Sequence, residues 1–169
     1  MEKYINSDFA DTYEAYSNKI FIGINHIAIP YINICLMPGN PITEKQCEID
    51  YSYYIFRDVQ AIEYRAKTGQ LNFDFSEIKD DNNITEYVII GGYKNIGAEV
   101  KIKFKESIFY ALDNAKFCKF PDMFMPTDTP DYNQNLDTED VKNFFLLKNL
   151  PKEIKEILGA DIGSFIWSL

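Results

Sequence analysis

Apolar residues recur at every second position through much of this chain, the rhythm of strands that bury one face. In Glu48–Phe56 (EIDYSYYIF), Ile49, Tyr51, Tyr53 and Ile55 fall on one face and Asp50, Ser52, Tyr54 and Phe56 on the other. Ala98–Phe104 sets Val100, Ile102 and Phe104 against Lys101 and Lys103, and Lys105 continues the lysine row. That row marks a solvated face, or a sheet edge where lysine discourages edge-to-edge aggregation. Ile20–Ile29 (IFIGINHIAI) and Tyr31–Met37 are dominated by β-branched residues and divided by Pro30, which predicts two central strands ending at the PGNP turn of Pro38–Pro41. Ala61–Ala66 and Leu71–Phe75 flank KTGQ, where Gly69 can supply the positive φ of a hairpin. Ile78–Asn83 (IKDDNN) reads as an exposed turn, and Glu86–Ile90 with Ala98–Phe104 brackets GGYKNIG as a further hairpin.

A period nearer 3.6 takes over toward the carboxyl end. Ile108, Ala111, Leu112 and Ala115 keep helical spacing and predict a short helix within Ser107–Cys118, although Phe109 and Tyr110 would also suit a strand. Thr138 can cap a helix whose first turn holds Glu139 and Asp140, favourable against the amino-terminal dipole, with Val141, Phe144, Phe145 and Leu147 inward. Pro151 and Gly159 frame KEIKEIL as a second short helix that turns Ile154, Ile157 and Leu158 inward. SFIWSL, at the end, is too apolar to trail freely, and the first 18 residues fit no single period.

Strands first and helices last predict an α+β domain spanning 1–169: an antiparallel sheet of about six to seven strands with two short C-terminal helices packed on it. A β-sandwich with terminal helices is the alternative. At 169 residues with 46% apolar and 15% aromatic composition, the chain can bury a sizeable core.

Charge narrows the partners. Twenty-six acidic against 17 basic residues leave a net charge of −9, which repels phosphate backbones and anionic headgroups, so nucleic acid and membrane surfaces are not expected ligands. Ile20–Thr43 carries no charge, yet Asn25, His26, Pro30, Asn33, Pro38, Asn40 and Pro41 interrupt it too often for a spanning helix. Cys35, Cys47 and Cys118 form an odd set without CxxC pairing, and MEKYINSDF does not resemble a signal peptide, which suits free thiols in a cytoplasm.

Catalytic and metal chemistry find little support. His26 is the single histidine and shares its strand parity with Ile20, Ile22, Ile24 and Ala28, the pattern of a satisfied core or edge residue. A hydrolase would pair it with Cys35, nine residues on, across a hairpin at Pro30. Carboxylate pairs such as Asp50 with Asp58, or Asp128 with Asp131, carry no specificity among so many acids. The spaced ligand pairs of zinc sites and the Gly and Glu positions of calcium loops are missing, so no metal and no cofactor are expected. GGYKNIG lacks the phosphate-loop series. The tyrosines of DYSYY could stack sugars, but alternation on a strand more often means packing.

Protein recognition remains. Pro121–Asp140 (PDMFMPTDTPDYNQNLDTED) holds six carboxylates, three prolines and no basic residue. Asp122, Phe124, Asp128, Asp131, Tyr132 and Asp137 combine apolar anchors with negative charge on a proline-rich connection, a surface that suits a basic protein partner. The alternative is a solvated loop whose Phe and Met fold back onto the domain. In size, acidity, sheet-first layout and the stretch DYSYYIFRDVQAIEY, the chain resembles the immunity proteins that bacteria carry against polymorphic or contact-dependent toxins. That resemblance implies a non-enzymatic protein that inhibits a basic cognate toxin, often a nuclease, by placing carboxylates where substrate phosphates would sit. A structural or accessory subunit joined to an assembly through its sheet edge or apolar carboxyl end, and the small hydrolase using His26 and Cys35, are the competing readings.

Overall fold

The computed structural model describes residues 4–12, 15, 17, 19–68, 77–81, 84–93, 96–112, 117–119, 138–159 and 167–168. Within them the chain is an α+β fold of three layers: a central antiparallel sheet, a smaller sheet on one face and a helical layer on the other. The central sheet runs β1 (Tyr4–Asn6), β10 (Glu106–Ala111), β5 (Cys47–Arg57), β4 (Ile27–Leu36), β3 (Phe21–Ile22), β12 (Trp167–Ser168). Two short strands complete it: β11 (Phe117–Lys119) extends along β5 beyond β10, and β2 (Ala10–Asp11) joins the far end of β4. The smaller sheet runs β6 (Ala61–Thr68), β9 (Ile96–Phe104), β8 (Ile84–Tyr93), β7 (Glu77–Asp81). Among the described residues seven of the twelve strands have five or more residues.

Pro30 does not divide two strands. β4 runs through it, and the reversal lies earlier, at Gly23–His26, where the Gly23 N–H donates to the His26 carbonyl at 2.8 Å. The outer flank of β4 is paired to β3 as far as Ala28 and to β2 from Cys35, so Pro30 stands where no described strand needs its missing N–H. Ser107–Cys118 is likewise not helical: Glu106–Ala111 pairs with β5 and β1, and Phe117–Lys119 pairs with β5. Both faces of β10 are buried, Phe109 and Ala111 toward the smaller sheet and Ile108 and Tyr110 toward the helices, which erases the alternation that would have announced a strand. Ile78–Asp81 also belongs to a strand rather than a turn, since these residues pair with β8 as far as Asp81 with Ile84. The hairpin expected around Gly69 and Leu71–Phe75 lies outside the described residues, while β6 pairs with β9.

Faces change sides along the β4–β5 pair. Ile27, Ile29 and Tyr31 face the smaller sheet, and then Ile34 and Leu36 do; opposite them Phe56 and Tyr54 give way to Ile49 and Cys47. The switch happens at Asn33, whose φ of 60° puts it in the left-handed region that Asn tolerates better than most side chains. Tyr53 and Ile55 therefore share the helix-facing core, whereas Ile49 does not, a correction to the single face drawn from the sequence.

The two sheets are one ribbon bent at a corner. β5 continues into β6 through Asp58–Gln60, and its partner β9 continues into β10 through Lys105. Between the pairs Arg57 with Glu106 and Ala61 with Lys103, three residues oppose two, a one-residue bulge that turns the ribbon. Val100, Ile102 and Phe104 then lie against Phe56, Tyr54 and Ile49, with Phe56 and Phe104 edge to face at 4.7 Å. Lys101 and Lys103 face away, so the lysine row is a solvated face of an interior strand and not an edge.

The helical layer is short. α1 (Thr138–Phe144) carries Glu139 and Asp140 in its first turn, and α2 (Lys152–Ile157) starts after Pro151 and ends before Gly159, whose φ is 83°. Phe145, Leu150, Ile154 and Leu158 are buried, and the Phe144 ring lies 4.8 Å from Tyr51 and 5.2 Å from Tyr53. Leu147 is exposed instead of inward, because the chain leaves the helix at Phe144 and makes a 3-10 turn over Leu147–Asn149. No helix among the described residues is long and apolar enough to cross a membrane.

Candidate functional site

The sequence singles out His26 first, and the fold gives it a structural task. Its Nδ1 accepts a hydrogen bond from the Asp58 backbone N–H at 3.2 Å, which places the neutral ring's proton on Nε2. Asp58 sits at the corner with φ 49°, the Val59 N–H donates to the Asn25 carbonyl at 2.8 Å, and the Asn25 amide reaches the Asp58 carboxylate at 3.5 Å. The β3–β4 turn thus braces the bend between the sheets. Arg57 and Glu106 add an exposed ion pair at 3.5 Å, worth about 0–1 kcal/mol.

Cys35 is not brought to this histidine. His26 precedes β4 and Cys35 lies near its other end, so nine residues of extended chain hold them roughly 30 Å apart. The Cys35 thiol accepts from Gln46 Nε2 at 3.4 Å. Burial pushes its pKa up, the Gln46 bond works in the opposite sense, and the carboxylates of Asp11 and Glu48 raise it further. The thiolate, which is the nucleophile, is therefore disfavoured. Cys47 is buried in the core with its sulfur 3.3 Å from Thr43 Oγ1, on the face opposite Cys35, so adjacent strands do not join the two.

Other candidates resolve into packing. Tyr53 and Tyr54 are buried on opposite faces of β5, and Tyr51 packs on Phe144, which leaves no sugar-stacking platform on that strand. Asp50 lies within β5 and Asp58 beyond its end, eight residues apart along one extended strand and too distant for paired acid and base work. Among the described residues no group of three His, Cys, Asp or Glu side chains is arranged to hold a metal ion. Asn40, which the sequence offers only as a turn residue, is fully buried: its amide donates to the carbonyls of Met37 and Lys45, and its oxygen accepts from the N–H groups of Ile42 and Thr43. It knits the β4–β5 loop.

Asp122, Phe124, Asp128, Asp131, Tyr132 and Asp137 lie outside the described residues. The anchors on either side are clear. The segment leaves from β11, where Lys119 pairs with Cys47, and returns at Thr138 to α1, whose Phe144 sits on Tyr51 and Tyr53. Both ends are thus fixed to β5. No family model matches the chain, and no curated protein or solved structure is significantly similar to it.

Proposed function

We propose that the chain is a non-enzymatic binding protein that inhibits a basic protein, in the manner of an immunity protein holding a cognate toxin. The observation that supports the reading is a stretch without a basic residue, Pro121–Asp140, whose Asp122, Asp128, Asp131 and Asp137 fall between two elements anchored on one strand, with Glu139 and Asp140 opening the second. Fixing both ends of a recognition segment lowers the entropy lost on docking. Asp122, Asp128, Asp131 and Asp137 supply negative charge that speeds encounter with a cationic surface, and Phe124 and Tyr132 supply apolar anchors. Where the target is a nuclease, the carboxylates occupy the positions of substrate phosphates.

The test is titration calorimetry against the purified product of the neighbouring reading frame. Replacing the four aspartates with asparagine should weaken binding by a hundredfold or more, roughly the loss of several charge pairs. Unchanged affinity would remove this surface, and a neighbouring protein that does not bind would remove the inhibitor reading.

A further inference from the structure

We propose that two copies of this chain join edge to edge through β6, as an antiparallel pair centred on Tyr64. Among the described residues β6 is hydrogen-bonded on one side only, to β9. Glu63, Tyr64, Arg65 and Ala66 are all exposed, so neither face of this stretch is covered. The strand (AIEYRAKT) has eight residues, about 26 Å of edge, and holds neither proline nor glycine to blunt it. An edge of this kind presents a row of backbone N–H and C=O groups to a further strand.

What selects a second copy is the order of the side chains. Two-fold pairing about Tyr64 sets Glu63 against the partner's Arg65 and Arg65 against the partner's Glu63. It also sets Tyr64 on the partner's Tyr64 and Ile62 on the partner's Ala66. Sliding the centre one residue either way places Glu63 on the partner's Glu63, or Arg65 on the partner's Arg65, so charge permits one centre of the three. Opposite charges and aromatic pairs directly across a ladder are favourable, and like charges are not. Within one chain Glu63 and Arg65 already approach to 3.5 Å, but both side chains are about half or more exposed, 48% and 64%, and such a pair holds weakly enough to exchange partners.

Tyr64 fits the same arrangement. It pairs in register with buried Val100, on the core-facing side of the smaller sheet, yet it is 58% exposed. In the dimer the two rings meet across the axis and extend that apolar face. The two four-stranded sheets become one continuous sheet. The interface is isologous and small against standard protein interfaces, so the dimer forms in a concentration-dependent way. Its residues are separate from the acidic segment, and it stands whether or not a basic partner exists.

Sedimentation velocity of the full chain over a wide concentration range tests this. The wild-type protein should pass from monomer to dimer. Arg65→Glu, which sets two glutamates against each other on each side of the axis, should raise the dissociation constant by about tenfold or more. Glu63→Arg combined with Arg65→Glu should restore it to within about threefold. Circular dichroism checks that each variant is folded, as expected for exposed positions. A protein monomeric at every concentration, a dimer indifferent to Arg65→Glu, or a double variant that fails to recover would each overturn the proposal.

Discussion

Asn33 stands opposite Asp50 in the β4–β5 register, and this is the one position at which the ladder between those strands is interrupted without a change of register. The pairs Ile32 with Tyr51 and Ile34 with Ile49 flank it and keep the same offset. Both strands exchange their inward and outward sides at this pair, β4 through its left-handed residue, and Ile34, Leu36, Cys47 and Ile49 reach the core that Ile29 and Tyr54 enter from the other half. A valine there must leave the left-handed region or bear its cost. Asn33→Val should be less stable than Asn33→Gly by about 1–2 kcal/mol, measured by urea denaturation. Equal midpoints would show that the positive φ is not required.

Gly23 is fixed by a close approach. A Cβ there would collide with the Leu158 carbonyl oxygen and stand 2.8 Å from its Cα, so neither side can yield without moving the end of α2 or the β3–β4 turn. Gly23→Ala should cost about 1–3 kcal/mol. The thermal midpoint reads the loss, and hydrogen exchange should show it as faster opening in Lys152–Leu158 than in β8.

His26→Ala should destabilise the fold by about 1 kcal/mol, because the Asp58 N–H loses its acceptor at a bend already held at positive φ. The Asp58 and Val59 amides should exchange faster, while alkylation of Cys35 should proceed at its former rate. A change in the Cys35 rate would contradict their separation along β4.

These outcomes also mark what the sequence could disclose. Val100, Ile102 and Phe104 were legible against Lys101 and Lys103 because the smaller sheet keeps one face in water there. β10 was not, since burial on both faces leaves no polar alternation, and Ile108, Ala111 and Leu112 then imitate a helix. The helices from Thr138 and after Pro151 were legible through their acidic first turn, proline and terminal glycine, which are local signals. The exchange of faces at Asn33 depends on one backbone torsion, and the bracing of Asp58 by His26 joins residues 32 apart, so neither leaves a periodic trace. Of the acidic segment, charge and composition are legible in the sequence and its two anchors on β5 are visible in the fold.

Alkaline pH should weaken the protein through Tyr53. Burial raises the pKa of its phenol well above the ordinary value, and neighbouring Tyr110 adds to the effect. The unfolded chain therefore releases this proton at lower pH than the native one, so the native state holds more protons and stability falls as pH rises. The contribution is complete below about pH 10 and is lost progressively above it. Tyr53→Phe should flatten the alkaline fall of the urea midpoint; an unaltered slope would place the titrating group elsewhere.

The bent ribbon has a kinetic meaning. Ala61 meets Lys103, Arg57 meets Glu106 and Ser52 meets Ala111, so at the bend the strands pair at separations of 42 to 59 positions along the chain. The β7–β8 and β8–β9 hairpins can close early, but neither sheet is complete until that large loop shuts. Folding should therefore occupy milliseconds to seconds rather than microseconds, since β1 must also find β10 and β12 must find β3 across still longer stretches of chain.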